Sequence, residues 1–207
     1  MTISTARMKR AVSEIKLADP KFAPIIDANP LCTIGRNKVN ESHFESLVSS
    51  VISQQLATKA ADTIHGRLVA LMGGKISPTK IVSLRPEELR AAGVSGAKVK
   101  AIQGLGYAAL NGEVAINDLH LIDDEVIAKQ LTSLWGIGPW TVDMFMMFQL
   151  GRLDIWPTGD LGVRRGWEKI HRLREEIDPK KLHVQGEIFR PHRSIVAWYC
   201  WRAVENK

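Results

Sequence analysis

Apolar residues recur along this chain at three- and four-residue intervals, with polar residues filling the positions between them. In "SHFESLVSSVI" the positions Phe44, Leu47, Val48, Val51 and Ile52 fall on one helical face. "TKAADTIHGRLVALMGG" repeats the spacing at Ala60, Ile64, Leu68 and Leu71 and stops at Gly73-Gly74. Asp19-Pro20, Ser77-Pro78 and Arg85-Pro86 each read as a helix start, with proline in a first turn where its missing N–H costs nothing. "SGAKVKAIQGLGYAALNG" predicts a further helix through Val99, Ile102, Leu105 and Tyr107, and "DDEVIAKQLTSL" opens with acids, as a helix N-terminus favours. "DLGVRRGWEKIHRL", "DPKKLHV" and "RPHRSIVAWYCWRAV" continue the helical pattern. Period-two alternation is absent over any useful length, so the expected class is all-α. The least regular stretch is "GRLDIWPTG", 151–159, a loop between two helices.

The composition narrows the setting. The 207 residues are 45% hydrophobic, enough for a packed core, and carry a formal charge of +6, which suits an anionic partner. Two cysteines, Cys32 and Cys200, cannot build an iron–sulfur cluster or a disulfide framework, and a reducing intracellular setting is expected. "MTISTARMKRAVSEI" lacks the apolar core of a signal peptide, and no uninterrupted apolar run is long enough to span a membrane. The six histidines are scattered without ligand-like spacing, so no catalytic metal is expected.

Three stretches carry candidate chemistry. "LWGIGPWT" reads as helix, tight turn, helix. Gly136 and Gly138 permit positive φ and uncover backbone N–H groups that could cradle a phosphate, although an ordinary αα-hairpin would use the same residues. Asp160 stands where the 151–159 loop becomes a helix; it could cap that helix, act as a carboxylate at a cleft edge, or do both. "SQQLAT" interrupts a helical pattern and is expected to be a turn carrying Gln54, Gln55 and Leu56.

The full pattern Leu134-x-Gly136-Ile137-Gly138-x-x-Thr141, with Asp160 in "DIWPTGDLGVRRG", resembles the helix-hairpin-helix superfamily of DNA base-excision glycosylases. Within it the chain is most similar to the DNA-3-methyladenine glycosylase II branch, which "ISQQLATKAA" and "FRPHRSIVAWYCWR" also resemble. The likeness runs from about residue 20 to the C-terminus. It implies hydrolysis of the N-glycosidic bond of alkylated purines in double-stranded DNA, with Asp160 as the catalytic carboxylate. It implies one glycosylase domain of two helical lobes: a central bundle over about 36–150 ending in the hairpin at 127–150, and a second lobe of 1–35 plus 151–207. A DNA-binding cleft is expected between them. Bifunctional members carry a lysine where this chain has Trp140; an indole cannot form a Schiff base, so no strand cleavage is expected.

By the same resemblance Trp140, Met144 and Phe189 are the base-pocket candidates. Met144 stands where relatives often have an aromatic, and Phe189 where a tryptophan is expected. A purine methylated at N3 or N7 is cationic, and an electron-rich ring favours it over a neutral base by roughly 0.5–2 kcal/mol. Gln55 is the expected plug for the vacated stack, with Gln54 and Leu56 beside it. Gly136, Ile137, Gly138 and Thr141 are expected at the DNA backbone, as is Arg164, though the run Arg164, Arg165, Lys169, Arg172 and Arg174 could equally be a solvated helix face. Arg193 suits either DNA contact or a structural ion pair. No cofactor is expected beyond a monovalent cation that the family's hairpin can hold on carbonyls. A monomer is expected, in the cytoplasm or nucleoid of a bacterium or the nucleus of a eukaryote. The rival readings are a non-catalytic helix-hairpin-helix DNA-binding module and a glycosylase for another damaged base.

Overall fold

The computed structural model describes residues 2–36 and 41–205. In chain order its α-helices are α1 (Thr5–Ala18), α2 (Ala23–Asp27), α3 (His43–Ser53), α4 (Thr58–Leu71), α5 (Pro78–Ser83) and α6 (Pro86–Ala91). They continue as α7 (Gly96–Leu110), α8 (Asp124–Thr132), α9 (Pro139–Met144), α10 (Leu161–His171), α11 (Pro179–Gln185) and α12 (Arg193–Glu205). Among the described residues there is no β-strand, and no helix is long and apolar enough to cross a membrane. The chain divides into two compact units, one of residues 39–145 and one of 1–38 with 146–207.

In the 39–145 unit, Ser42 starts α3 by accepting the Glu45 N–H at 3.2 Å, and the predicted face of Phe44, Leu47, Val48, Val51 and Ile52 is buried. The α4 stripe differs from the periodicity reading. Ala61, Leu68 and Met72 are buried, whereas Ala60 and Leu71 face outward. The buried face is therefore turned by about one residue, and Met72, beyond the helix, completes it. In α7 the buried set is Val99, Ala101, Ile102, Leu105 and Ala108, while Tyr107 is exposed. Residue 107 lies two positions beyond Leu105, roughly 200° around a helix of 3.6 residues per turn, and so points away from the core. Gly106 lets α5 lie close, since a Cβ there would stand 2.9 Å from Val82 Cγ1.

The other unit is built on α10 and α12. Their backbones meet at Gly166, where an added Cβ would lie 2.0 Å from the Cys200 carbonyl oxygen; only glycine fits. Phe22, Trp167 and Phe189 pack edge to face with centroids 5.4 to 6.0 Å apart. Helix α1 adds Met8, Ala11, Val12 and Ile15, an i, i+3, i+4, i+7 stripe that the sequence reading passed over. Both cysteines are free and buried; burial pushes the Cys32 thiol up to about 12 and the Cys200 thiol higher, with the Asp160 charge adding to the latter.

Candidate active site

The hairpin forms between α8 and α9. Gly136 takes φ +81°, and an added Cβ there would stand 2.7 Å from Ala101 Cβ, so the turn lies directly on α7. Gly138 does not share this conformation. Its φ of −93° and ψ of 170° are extended, and it serves as the N-cap of α9. Nothing lies within 4 Å of where its Cβ would be, so the turn stays open at this position without the fold itself requiring glycine. Pro139 then opens α9 as predicted. Ile137 points inward at 3% exposure, so only its backbone is available to a ligand. The helix after Met144 widens into a π turn over Phe145–Gln149.

Gln54 and Thr141, both expected at the DNA, are turned toward each other. The Gln54 amide donates to Thr141 Oγ1 at 2.9 Å and to the Gly136 carbonyl at 3.1 Å, and the Thr141 side chain is buried. These two side chains fasten the "SQQLAT" turn to the hairpin. Gln55 and Leu56 are exposed at the tip of that turn. Gln55 adopts φ +54°, a left-handed conformation that costs a side-chain-bearing residue roughly 1 kcal/mol and is held only where surroundings enforce it. Trp140 is exposed and Met144 half-buried, one turn apart on α9.

In the other unit Asp160 is half-buried and caps α10, accepting the Val163 N–H on Oδ1 at 2.8 Å. The same oxygen accepts the Trp201 indole N–H at 2.8 Å. Trp201 is a partner of Asp160 that sequence reasoning passed over; its position in α12 gave no local cue that it reaches a residue 41 positions earlier. Gly162 makes the approach possible, because a Cβ there would lie 2.8 Å from Trp201 Cδ1 and 3.1 Å from Asp160 Oδ1. Phe148 stacks on the Trp201 ring at 5.8 Å and 27°.

The loop that delivers Asp160 is clamped by the start of α12. Arg193 is buried and grips Asp154 through Nε–Oδ1 at 2.8 Å and Nη2–Oδ2 at 3.0 Å, with Glu187 on Nη1 at 3.0 Å. It is a structural ion pair. The Ser194 hydroxyl accepts the Ile155 N–H and donates to the Ile155 carbonyl, while the Trp156 indole donates to the Leu182 carbonyl. A two-point guanidinium–carboxylate fork fixes orientation as well as distance.

Phe189 and the basic run are placed as follows. Phe189 is 2% exposed, with its ring packed against Phe22 and Trp167 in the core of its unit. Within the basic run, Arg165 is ion-paired with Glu168 and Glu176. Arg164 is half-buried, and its Nε has no hydrogen-bond partner among the described residues. No cluster of three or more potential metal ligands occurs among the described residues.

Residues 48–191 match the family model described as HhH-GPD superfamily base excision DNA repair protein. A curated relative, DNA-3-methyladenine glycosylase 1 of Schizosaccharomyces pombe, is 33% identical over 172 residues, covering 81% of this chain and 75% of its own. The crystal structure of a DNA-3-methyladenine glycosidase from Bacillus halodurans superposes with a TM-score of 0.82 at 33% identity, covering 95% of this chain and 89% of that one. The S. pombe 3-methyladenine DNA glycosylase, solved in complex with abasic DNA, gives a TM-score of 0.80 at 30% identity, covering 93% and 95%.

Proposed function

From the premise that the chain belongs to the HhH-GPD superfamily of base excision DNA repair proteins, we propose that it is a monofunctional glycosylase releasing alkylated purines from double-stranded DNA. The observation that carries this reading is the Asp160 carboxylate, held by the Val163 N–H and the Trp201 indole at the head of α10. A carboxylate so restrained is preorganised for one task, to face positive charge that develops nearby.

The substrate suits such a site. A purine methylated at N3 or N7 carries a positive charge, so its C1′–N bond breaks without prior protonation of the base. The bonding pair leaves with the purine, which becomes neutral, and the charge passes to the sugar as an oxocarbenium ion. Asp160 stabilises that ion until water adds to C1′ and loses a proton, leaving an abasic site. Trp140 and Met144 supply the wall for the extruded base, and Phe189, a core residue, is left out of this role. The open glycine turn grips the phosphate backbone, with Ile137 contributing only its main chain, and Gln55 with Leu56 fills the vacated stack. Arg164 is the basic side chain proposed to reach a phosphate. Trp140, where lyases of the superfamily carry lysine, offers no amine to attack the sugar; the product is therefore an intact abasic strand. Relatives solved or named as 3-methyladenine glycosylases support this choice of substrate.

The test is Asp160→Asn. Asparagine retains an acceptor for Val163 and Trp201 but no charge. Release of 7-methylguanine from methylated duplex is expected to fall by about 1000-fold or more, as for losing roughly 4 kcal/mol of charge stabilisation. Affinity for abasic DNA should persist. Undiminished release, or strand breaks made by the wild type without added base, would overturn the reading.

A further inference from the structure

The turn that carries Gln55 and Leu56 is held in an unusual way. A helix ends with carbonyls that lack intrahelical partners, and a left-handed glycine commonly completes the cap. At the end of α3 the left-handed residue is Gln55 instead; the turn's own N–H groups serve the Val51 and Ser53 carbonyls, and two further carbonyls are served from outside. Lys98, in the first turn of α7, donates through Nζ to the Ile52 carbonyl at 2.7 Å and to the Gln54 carbonyl at 2.8 Å. Its ammonium is partly buried, which pushes it below the usual lysine range. A cation placed on the negative end of α3 is electrostatically favourable there.

Packing beneath the tip is incomplete. A cavity of about 100 Å³ lies under it, lined by Ile52, Leu56, Ile64, Val94 and Lys98 among others. The tip is therefore located mainly by hydrogen bonds: Lys98 on its main chain, and the Gln54 amide, which ties the same turn to Gly136 and Thr141 of the hairpin. Both anchors act on the chain just before Gln55, at Ile52 and Gln54, and the Gln55 side chain itself stays exposed.

We infer that Lys98 is a positioning residue for base extrusion, holding the Gln55–Leu56 tip in the geometry that fills the stack when the damaged base leaves. This rests on the glycosylase reading above. A tip set before binding does not have to be ordered during extrusion, and preorganisation of this kind lowers the cost of the bound state. The benefit must scale with the pairing that extrusion breaks, since a poorly paired base leaves the helix at little cost.

The experiment compares Lys98→Met and Lys98→Arg with the wild type on two duplexes. In one, 7-methylguanine is paired with cytosine; in the other, the same lesion lies opposite a missing base. Single-turnover release is read on both, and the ratio of the two rates is taken within each preparation, so that a reduced folded fraction cancels. Lys98→Met is expected to slow release from the paired duplex by about 10-fold or more, as loss of charge-assisted hydrogen bonds implies, and from the unpaired one by no more than about a third of that factor. Lys98→Arg, which keeps donors and charge, should recover most of the paired rate. Equal slowing on both duplexes, or no slowing on the paired one, overturns the inference alone. A wild type inactive on both would overturn the glycosylase reading and this inference with it.

Discussion

Replacing Trp201 by phenylalanine isolates the bond that aims the carboxylate. The ring and its stack with Phe148 are kept, and only the N–H that reaches Asp160 Oδ1 at 2.8 Å is lost. A hydrogen bond to a charged acceptor contributes roughly 1.5–3 kcal/mol, and the half-exposure of both partners reduces this to about 1–2 kcal/mol. The Val163 N–H still caps α10, so the helix start survives. Melting should fall by roughly 2–8 °C, at about 2–4 °C per kcal/mol for a chain of this size. On the proposed reading the same bond restrains the carboxylate during the reaction, so its loss should slow base release by about 5- to 30-fold. The assay is single-turnover release of 7-methylguanine at saturating enzyme, at a temperature where the variant is fully folded. A rate within twofold of wild type, alongside an inactive Asp160→Asn, would show that the indole N–H does not aim the carboxylate.

The two hairpin glycines should behave oppositely on melting. Gly136→Ala meets Ala101 at 2.7 Å from a positive φ and should lower stability by about 2–3 kcal/mol, whereas Gly138→Ala enters open space and should melt within about 2 °C of wild type while weakening duplex binding. The reverse order of melting temperatures would contradict the turn geometry. Burial holds both cysteine thiols above their ordinary range, Cys32 at about 12. At pH 8 both stay protonated, so a thiol reagent should label the native protein slowly and the denatured protein at both sites. Rapid native labelling would refute the buried placement.

Helix existence was legible because most segments combine a period near 3.6 with an explicit start. Ser42, Ser77 and Ser95 each cap the helix they precede, and Pro78, Pro86, Pro139 and Pro179 each occupy a first turn. Helix α1 carries the same periodicity, but its stripe holds only Met8, Ala11, Val12 and Ile15 in a strongly polar background. The glycine turn and Asp160 were legible as local motifs. What local reading missed depends on long-range partners. Gln54 looks like a neighbour of the plug until the hairpin, 82 residues later, takes its amide. Phe189 looks like any aromatic beside a motif until Phe22 and Trp167 enclose it. Lys98 and Trp201 carry no signal of their own, because their roles lie in carbonyl and carboxylate partners far away in sequence.

The clamp at the head of α12 has a temporal consequence. Asp160 is translated before Arg193 and Ser194, which fasten its loop, and before Trp201, which sets its angle. A growing chain thus has the proposed catalytic carboxylate ahead of the residues that orient it. On the proposed reading, cleavage of a glycosidic bond therefore awaits the docking of α12, and the order of synthesis itself acts as a safety catch.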